Sequence, residues 1–259
     1  TAKGRLETVS DPLNRVSRFT YDANGNLLES TNTANETSTR LYDAANNLTK
    51  YRDENYDEDG KLTDARDIEV AAYDARGNAL KQKITSYDET GALLDVREVE
   101  NKAFDFRGNV LKSETKTFDE KGALIDMQNI LNYGFDPFGN ALEQKIETFD
   151  SDGKLLDTQL IKNVGFNSRG IPKERTVKTF DDKGKPIDIQ VTKNLKMDAK
   201  GNVVDQLIEN YDGAGKLLGK TEVKNKDFNR RGVPALTERK NFDDKGALID
   251  RQLVRNLKV

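Results

Sequence analysis

Short runs of apolar and β-branched residues recur along the whole chain, and each run is bounded by a polar turn. Two examples are Asn109 to Thr117 (NVLKSETKT) and Ala123 to Tyr133 (ALIDMQNILNY). Such runs have the length of strands and lack the 3.6-residue period of an amphipathic helix. The pattern therefore predicts an all-β fold built from many short strands.

The polar turns share the motif aromatic-Asp-x-x-Gly, as in YDARGNA at Tyr73 and FDEKGAL at Phe118. An Asp at the first turn position accepts hydrogen bonds from N–H groups just ahead, and a Gly three residues later adopts a positive φ. The motif predicts a type I turn followed by a G1 bulge. The chain should therefore reverse at every motif and form tandem antiparallel β-hairpins.

From Tyr42 onward the motifs are spaced by 14 and 17 residues in strict alternation, which gives a double-hairpin period of 31 residues. We therefore divide the chain into an irregular lead-in, residues 1–41, and a regular array, residues 42–259. The period also aligns residues outside the motif, which we interpret as structural repeat positions. They are Asn101, Asn132, Asn163, Asn194, Asn225 and Asn256, with the turn glycines Gly91, Gly122, Gly153, Gly184, Gly215 and Gly246.

Two further columns follow the same period. One is polar and the other is apolar. The polar column holds Gln128, Gln159, Gln190 and Gln252, and the apolar column holds Leu94, Ile125, Leu156, Ile187, Leu218 and Ile249.

The two kinds of segment between turns differ in parity, since 10 residues separate Gly77 from Tyr87 and 13 separate Gly91 from Phe104. Side chains on a strand alternate between the two faces, so this difference requires one bulge in each period. Asn tolerates a left-handed backbone. We therefore expect the Asn column that begins at Asn101 to mark the bulge.

The architecture that we expect is a meander of about fourteen motif-bounded strands in one long curved or spiral sheet. The alternative is a β-solenoid in which each 31-residue unit makes one coil. The two differ in rise, because two strands per unit give about 10 Å and one coil gives about 5 Å. The hairpin-type turns favour the meander.

Composition limits the function. Apolar residues make up 35% of the chain and charged residues 34%, and Trp is absent, which favours a thin or one-sided sheet over a thick core. The net charge of −3 gives no reason to expect a nucleic-acid partner. The chain lacks an apolar run of about 18 residues, so we expect no membrane insertion.

The residues offer little for catalysis. The chain has no His and no Cys, which excludes Ser-His-Asp and Cys-His systems and His-ligated metals. The acidic residues are spread evenly through the repeats, so we expect no enzyme and no cofactor. Two pairs of turn acids, Asp57 with Asp59 and Asp150 with Asp152, are the best candidates for Ca²⁺ ligands. We favour the interpretation that they cap turns.

Two other patterns have a functional and a structural interpretation. The aromatic residue before each turn suits a stacking platform for sugars or bases, but packing on the neighbouring turn is the stronger expectation. The Asn and Gln columns suit a ligand groove, but we prefer an amide ladder, in which the side chains bond one another along the stack.

The tandem motifs YDANGNL at Tyr21, YDARGNA at Tyr73 and YDETGAL at Tyr87 resemble the YD repeat of Rhs-type proteins, toxin-complex shells and teneurins. The resemblance implies a strip of hairpins that winds in a spiral around a hollow, in a bacterial protein that is secreted or borne on the cell surface. The partners it implies are neighbouring repeats or like subunits, with an encapsulated polypeptide or a surface glycan. The chain begins in mid-pattern and without Met, so we expect a fragment of a longer protein.

These patterns together predict a structural repeat segment that builds the wall of a shell, tube or fibre. Two alternatives stay open: an adhesin whose repeated surface binds carbohydrate or protein, and part of a toxin-encapsulating Rhs shell. The strict 31-residue regularity favours a uniform tube or fibre, because each unit then adds the same rotation and rise.

Overall fold

The computed structural model describes residues 4–12, 14–32, 36–57, 59–229 and 232–256, and every helix or strand in these ranges is a β-strand. The strands are β1 (Thr8–Ser10), β2 (Val16–Tyr21), β3 (Leu27–Thr31), β4 (Thr37–Tyr42), β5 (Leu48–Tyr56), β6 (Leu62–Tyr73), β7 (Ala79–Tyr87), β8 (Leu93–Phe104), β9 (Val110–Phe118), β10 (Leu124–Phe135), β11 (Ala141–Asp150), β12 (Leu155–Phe166), β13 (Pro172–Asp181), β14 (Pro186–Met197), β15 (Val203–Asp212), β16 (Leu217–Phe228), β17 (Pro234–Asp243) and β18 (Leu248–Arg255). Within the same ranges no helix is long and apolar enough to cross a membrane. The all-β prediction is confirmed.

The strands form two compact units, Thr1–Ala103 with Ser113–Met127 and Phe104–Lys112 with Gln128–Val259. In the first unit each strand from β1 to β8 pairs with the next in antiparallel fashion. In the second unit β11 to β18 do the same. Strands β9 and β10 each have residues in both units.

The pairing decides between the meander and the solenoid. Gln159 in β12 lies opposite Ile146 of β11 and Thr179 of β13, the strands that come before and after it in the chain. A solenoid would instead place Gln159 beside Gln190, one period away, in a parallel pair. The meander is therefore confirmed and the solenoid alternative is wrong.

Strand number and length follow the motif spacing. The part of the chain after Tyr42 contains fourteen strands within the described ranges, β5 to β18. Long strands such as β8 and β12, with 12 residues each, alternate with short strands such as β7, with 9 residues, and β13, with 10. The alternation of 14- and 17-residue spacings is thus an alternation of strand lengths.

The turn geometry is the one that the motif predicts. At the turn after β6, the Asp74 N–H donates to the Asn78 carbonyl oxygen at 2.9 Å, and the Gly77 N–H donates to the Asp74 carbonyl oxygen at 3.1 Å. Gly77 has a φ of 85°, as a G1 bulge requires. Asn14 in the lead-in and Asn46 in the first turn of the regular array take the place of this glycine, with φ of 59° and 66°. The lead-in is irregular in spacing but uses the same turn.

One bulge per period is present next to the turn, in a different place from the one predicted. Between β11 and β12, Thr148 lies opposite Asp157 and Phe149 opposite Leu155, so Leu156 has no partner. The same displacement falls on four more members of the apolar column. They are Leu94, Ile187, Leu218 and Ile249.

The prediction that the Asn column marks the bulge is wrong at Asn163 and Asn225, although directly after Asn194 the pairing shifts so that Lys196 lies opposite Asp205. Asn163 and Asn225 lie in regular pairs, opposite Arg175 and Thr237. Neither has a positive φ, so the left-handed backbone on which the prediction rested is absent at these two residues. The extra residue of each period instead lies beside the turn, where the G1 bulge has already twisted the backbone. At this place it interrupts few of the hydrogen bonds between the two strands.

The two sides of the sheet in the second unit differ in chemistry. One side, which we call the amide face, carries Gln159, Asn163 and their cross-strand neighbours, and it includes Ile161, 3% exposed, and Val223, 7% exposed. The other side carries cross-strand ion pairs such as Lys193 with Glu209, 2.8 Å apart. The few buried apolar residues fit the thin core expected from the composition.

The turns at the two ends of the strands pack differently. In the second unit, successive turns that end in Gly-Asn or a variant of it touch: a Cβ on Gly170 would lie 2.8 Å from Asn140 Oδ1, and a Cβ on Gly139 would lie 2.9 Å from Asn109 Oδ1. At the opposite ends, a Cβ on Gly153 or on Gly184 would have no neighbour within 4 Å. At these glycines one series of turns is therefore packed and the other is open, although Gly213 of the open series lies against the Pro186 carbonyl oxygen.

This contrast predicts different costs for the same substitution. Gly153→Ala and Gly170→Ala both place a side chain at positive φ, with a strain of about 1 kcal/mol. Gly170→Ala should lower the free energy of unfolding by about 1 kcal/mol more than Gly153→Ala does. The added methyl group displaces the Asn140 carboxamide, which donates to Asp136 at 2.8 Å. Urea unfolding of the two variants measures the difference. Equal losses would show that the turns do not pack as described.

Candidate functional site

The turn carboxylates are the most repeated polar groups of the structure. Asp74 Oδ1 accepts the N–H groups of Arg76 at 2.8 Å and Asn78 at 2.9 Å, and its Oδ2 accepts the Asn78 carboxamide at 2.9 Å. The carboxamide and then the backbone N–H of Asn78 hold the pKa of Asp74 below its ordinary value of 3.8. The equivalent Asn140 and Asn202 lower the pKa of Asp136 and of Asp198 in the same way.

The paired acids have the same capping role. Asp57 Oδ1 accepts the N–H groups of Asp59 at 3.0 Å and Lys61 at 2.8 Å. Asp150 Oδ1 accepts those of Asp152 at 3.0 Å and Lys154 at 2.9 Å. Ca²⁺ takes six to eight oxygen ligands, and the part of the chain that the structure describes gathers no three acidic side chains that could hold a metal ion. The first acid of each pair is engaged as a turn cap.

Each Asn of the 31-residue column bonds the backbone of a neighbouring strand. Between β11 and β12 the backbone pairing ends at Glu143 and Lys162, and the Asn163 side chain then donates to the Ala141 carbonyl oxygen. The Asn163 amide thus donates to a carbonyl oxygen that lies beyond the end of the backbone pairing between the two strands. The bonds are Asn101 to Ala79 at 2.9 Å, Asn132 to Val110 at 2.7 Å, Asn163 to Ala141 at 3.0 Å, Asn194 to Pro172 at 2.7 Å, Asn225 to Val203 at 3.0 Å and Asn256 to Pro234 at 2.6 Å.

The predicted amide ladder along the stack is not what these side chains form. Successive column members are two strands apart, about 10 Å, which is too far for a direct hydrogen bond. Instead a polar residue on the next strand donates to the Asn oxygen, as Gln144 does to Asn132 at 2.7 Å and Gln206 to Asn194 at 2.8 Å. We did not predict this second column, although its 12-residue offset from each Asn is visible in the sequence.

The aromatic residues at the head of the motif pack on neighbouring turns. Tyr42 Oη donates to the Leu27 carbonyl oxygen at 3.0 Å, and Tyr73 Oη donates to that of Leu48. The most exposed rings lie elsewhere, at the tips of two consecutive Gly-Asn turns, where Phe106 and Phe138 are each 86% exposed. The motif rings therefore act in packing and leave little surface for a stacking platform.

The amide face of the second unit carries a cavity of about 600 Å³ across β12 to β15. Amide and hydroxyl side chains dominate its lining, which we did not predict from the sequence. The lining residues are Gln159, Pro172, Arg175, Val177, Thr179, Asp188, Gln190, Thr192, Asn194 and Gln206. Such a surface can bind by hydrogen bonds and through one guanidinium group.

The sequence matches the family model described as RHS Repeat over residues 1–37 and again over residues 21–55. Over residues 1–55 the chain is therefore similar to RHS repeats. The resemblance of the YD motifs to this family is thereby confirmed, and beyond residue 55 the structure repeats the same Asp-x-x-Gly turn as far as Asp243. The matched residues cover the irregular lead-in and the start of the regular array, and the turn geometry continues unchanged beyond them.

Solved structures with related features are distant. A porin-like protein from Bacteroides vulgatus is 9% identical, with 97% of this chain and 99% of that chain covered and a TM-score of 0.36. The Tc holotoxin pore of Photorhabdus luminescens, a TccC3 mutant, is 13% identical, with 91% of this chain but 17% of that chain covered and a TM-score of 0.15. At these scores neither likeness bears on fold or function. No curated protein matches the sequence.

The turn caps predict a pH dependence of stability. Because the pKa of Asp74, Asp136 and Asp198 is lowered on folding, their contribution is complete above the ordinary value near 3.8 and is lost as the pH falls through the lower folded values. The urea midpoint of the native chain should fall between pH 5 and pH 2.

A matched variant isolates these carboxylates. The turn at Asn167 has an amide in the Asp position, and its Oδ1 accepts the same two N–H groups, at 2.9 and 3.0 Å. The triple variant Asp74→Asn, Asp136→Asn and Asp198→Asn should therefore fold and show a smaller fall of the urea midpoint. An unchanged pH profile would contradict the assignment.

Proposed function

We propose that the chain is a structural segment of a secreted or cell-surface RHS-repeat protein, in which the hairpins build the wall of a shell, tube or fibre. The observation that supports this role is the use of the repeated polar residues. The Asn column bonds the adjacent strand in six successive periods, so these side chains serve to join one strand to the next. The partners that fit this role are neighbouring repeats or like subunits.

We propose further that the segment is not an enzyme. The sequence has neither His nor Cys, and the repeated carboxylates cap turns through bonds to backbone N–H groups. Between the two forms of wall, the constant 31-residue period supports a uniform tube or fibre over a closed toxin capsule, since identical units add identical rotations.

The wall hypothesis predicts that whole units can be added. Insertion of three further copies of residues 156–186 should lengthen the sheet by about 10 Å per unit, because each unit contributes two strands. Electron microscopy of the native and lengthened chains measures the contour length. The control chain carries inserts of the same length and composition, in which the Asp and Gly residues of each turn have been moved to other positions. Compact particles of unchanged size would contradict the structural role.

A second candidate is an adhesin, favoured by the exposed rings of Phe106 and Phe138. The two turns are neighbours, because Arg107 of the first donates to the Asp136 carbonyl oxygen of the second at 3.1 Å. Exposed aromatic residues beside an Arg are common anchors of binding surfaces. This candidate predicts glycan or protein binding that Phe106→Ser with Phe138→Ser abolishes and Leu195→Ser, also at an exposed residue, leaves intact. Binding that survives the double substitution would exclude these rings.

A further inference from the structure

Arg175 interrupts the 31-residue period on the amide face. The equivalent positions in the other units hold uncharged residues. They are Tyr51, Gln82, Ser113, Gln144, Gln206 and Thr237. Three of these residues donate to the Asn of the neighbouring strand: Gln144, Gln206 and Thr237. A charged residue therefore replaces a residue with a structural role at one place in the array.

The side-chain bond that Gln144, Gln206 and Thr237 make is absent at this place. Arg175 lies opposite Asn163, but within the described residues the Arg175 side chain makes no hydrogen bond or ion pair, and Asn163 Oδ1 accepts none. The substitution thus removes a cross-strand bond and leaves a guanidinium group unpaired. Arg175 is exposed, so its guanidinium group is open both to solvent and to a ligand.

The guanidinium belongs to the lining of the 600 Å³ cavity. The one acidic residue of that lining, Asp188, is four residues along β14 from Thr192, the residue opposite Arg175. At 3.3 Å per residue this is about 13 Å along the strand, too far for an ion pair. The cavity therefore presents an uncompensated positive charge at one end.

The remaining lining residues can bind hydroxyl groups through hydrogen bonds. Thr179 and Thr192 have hydroxyls that both donate and accept, Gln159 has a carboxamide that does the same, and Val177 with Pro172 adds a small apolar surface. A planar guanidinium pairs best with a carboxylate through two parallel hydrogen bonds. We propose that this cavity binds a sugar acid, with its carboxylate on Arg175 and its ring hydroxyls on the amide and hydroxyl side chains.

The size of the cavity supports a sugar ring over other anions. A volume of about 600 Å³ lies within the range of small-ligand sites, 300 to 1,000 Å³. Inorganic phosphate would fill a small part of it and leave the hydroxyl-binding residues unused. An acidic peptide would need apolar pockets for its other side chains, and Val177 and Pro172 are the apolar residues that line the cavity.

The residue at the equivalent position of the neighbouring units provides a variant that tests the proposal. Arg175→Gln restores the residue of the neighbouring units and should fold with a Gln–Asn163 bond like that of Gln206 with Asn194. Titration of the native chain with D-galacturonate, followed by NMR, should show saturable binding, and Arg175→Gln should weaken it at least tenfold. Arg239→Gln, which removes an Arg of the same face outside the cavity lining, should bind like the native chain.

Three further probes separate the sources of affinity. D-galactose, which lacks the carboxylate, should bind at least tenfold more weakly than D-galacturonate, and inorganic phosphate and tetraglutamate should not saturate the site. Equal binding of galactose, tighter binding of phosphate or the peptide, or undiminished galacturonate binding by Arg175→Gln would overturn the proposal. The absence of saturable galacturonate binding by the folded native chain would overturn it as well.

Discussion

Most reversals in the described part of the chain are held by one side-chain oxygen that accepts two backbone N–H groups. At Asp150 these are the N–H groups of Asp152 and Lys154, and the following glycine then completes the G1 bulge. The turn fixes where each strand begins, and the strand that follows inherits its register from it. The pairing of the strands, the face on which each side chain lies and the contacts between turns all depend on this local geometry. This dependence explains why the motif recurs while the residues between motifs vary.

Register alone would not keep the columns on one face, because the two segment lengths differ in parity. The bulge at Leu156 and its equivalents absorbs the extra residue beside the turn, and Leu156 is 48% exposed as a result. Beyond the bulge the strand is regular, so that Gln159, Ile161 and Asn163 share the amide face. The Asn side chain can then reach the carbonyl oxygen where the backbone ladder stops.

The sequence was sufficient for the parts of the structure that depend on local chemistry. Turn type, strand order and alternating strand length follow from Asp, Gly and their spacing. The position of the bulge did not follow, because Leu156 has no intrinsic preference for a bulge, whereas Asn163 has a known tolerance for unusual backbone and drew the prediction. The cavity and the unpaired Arg175 depend on contacts across four strands, which residue spacing does not reveal.

The bulge reconciles a 31-residue period with a sheet of two different faces, and NMR of the β11–β12 hairpin tests this role most directly. Cross-strand nuclear Overhauser effects should connect Thr148 with Asp157 and Phe149 with Leu155, and leave Leu156 without an opposite partner. Effects that connect Thr148 with Leu156 and Glu147 with Asp157 would show an unbulged ladder and contradict the account.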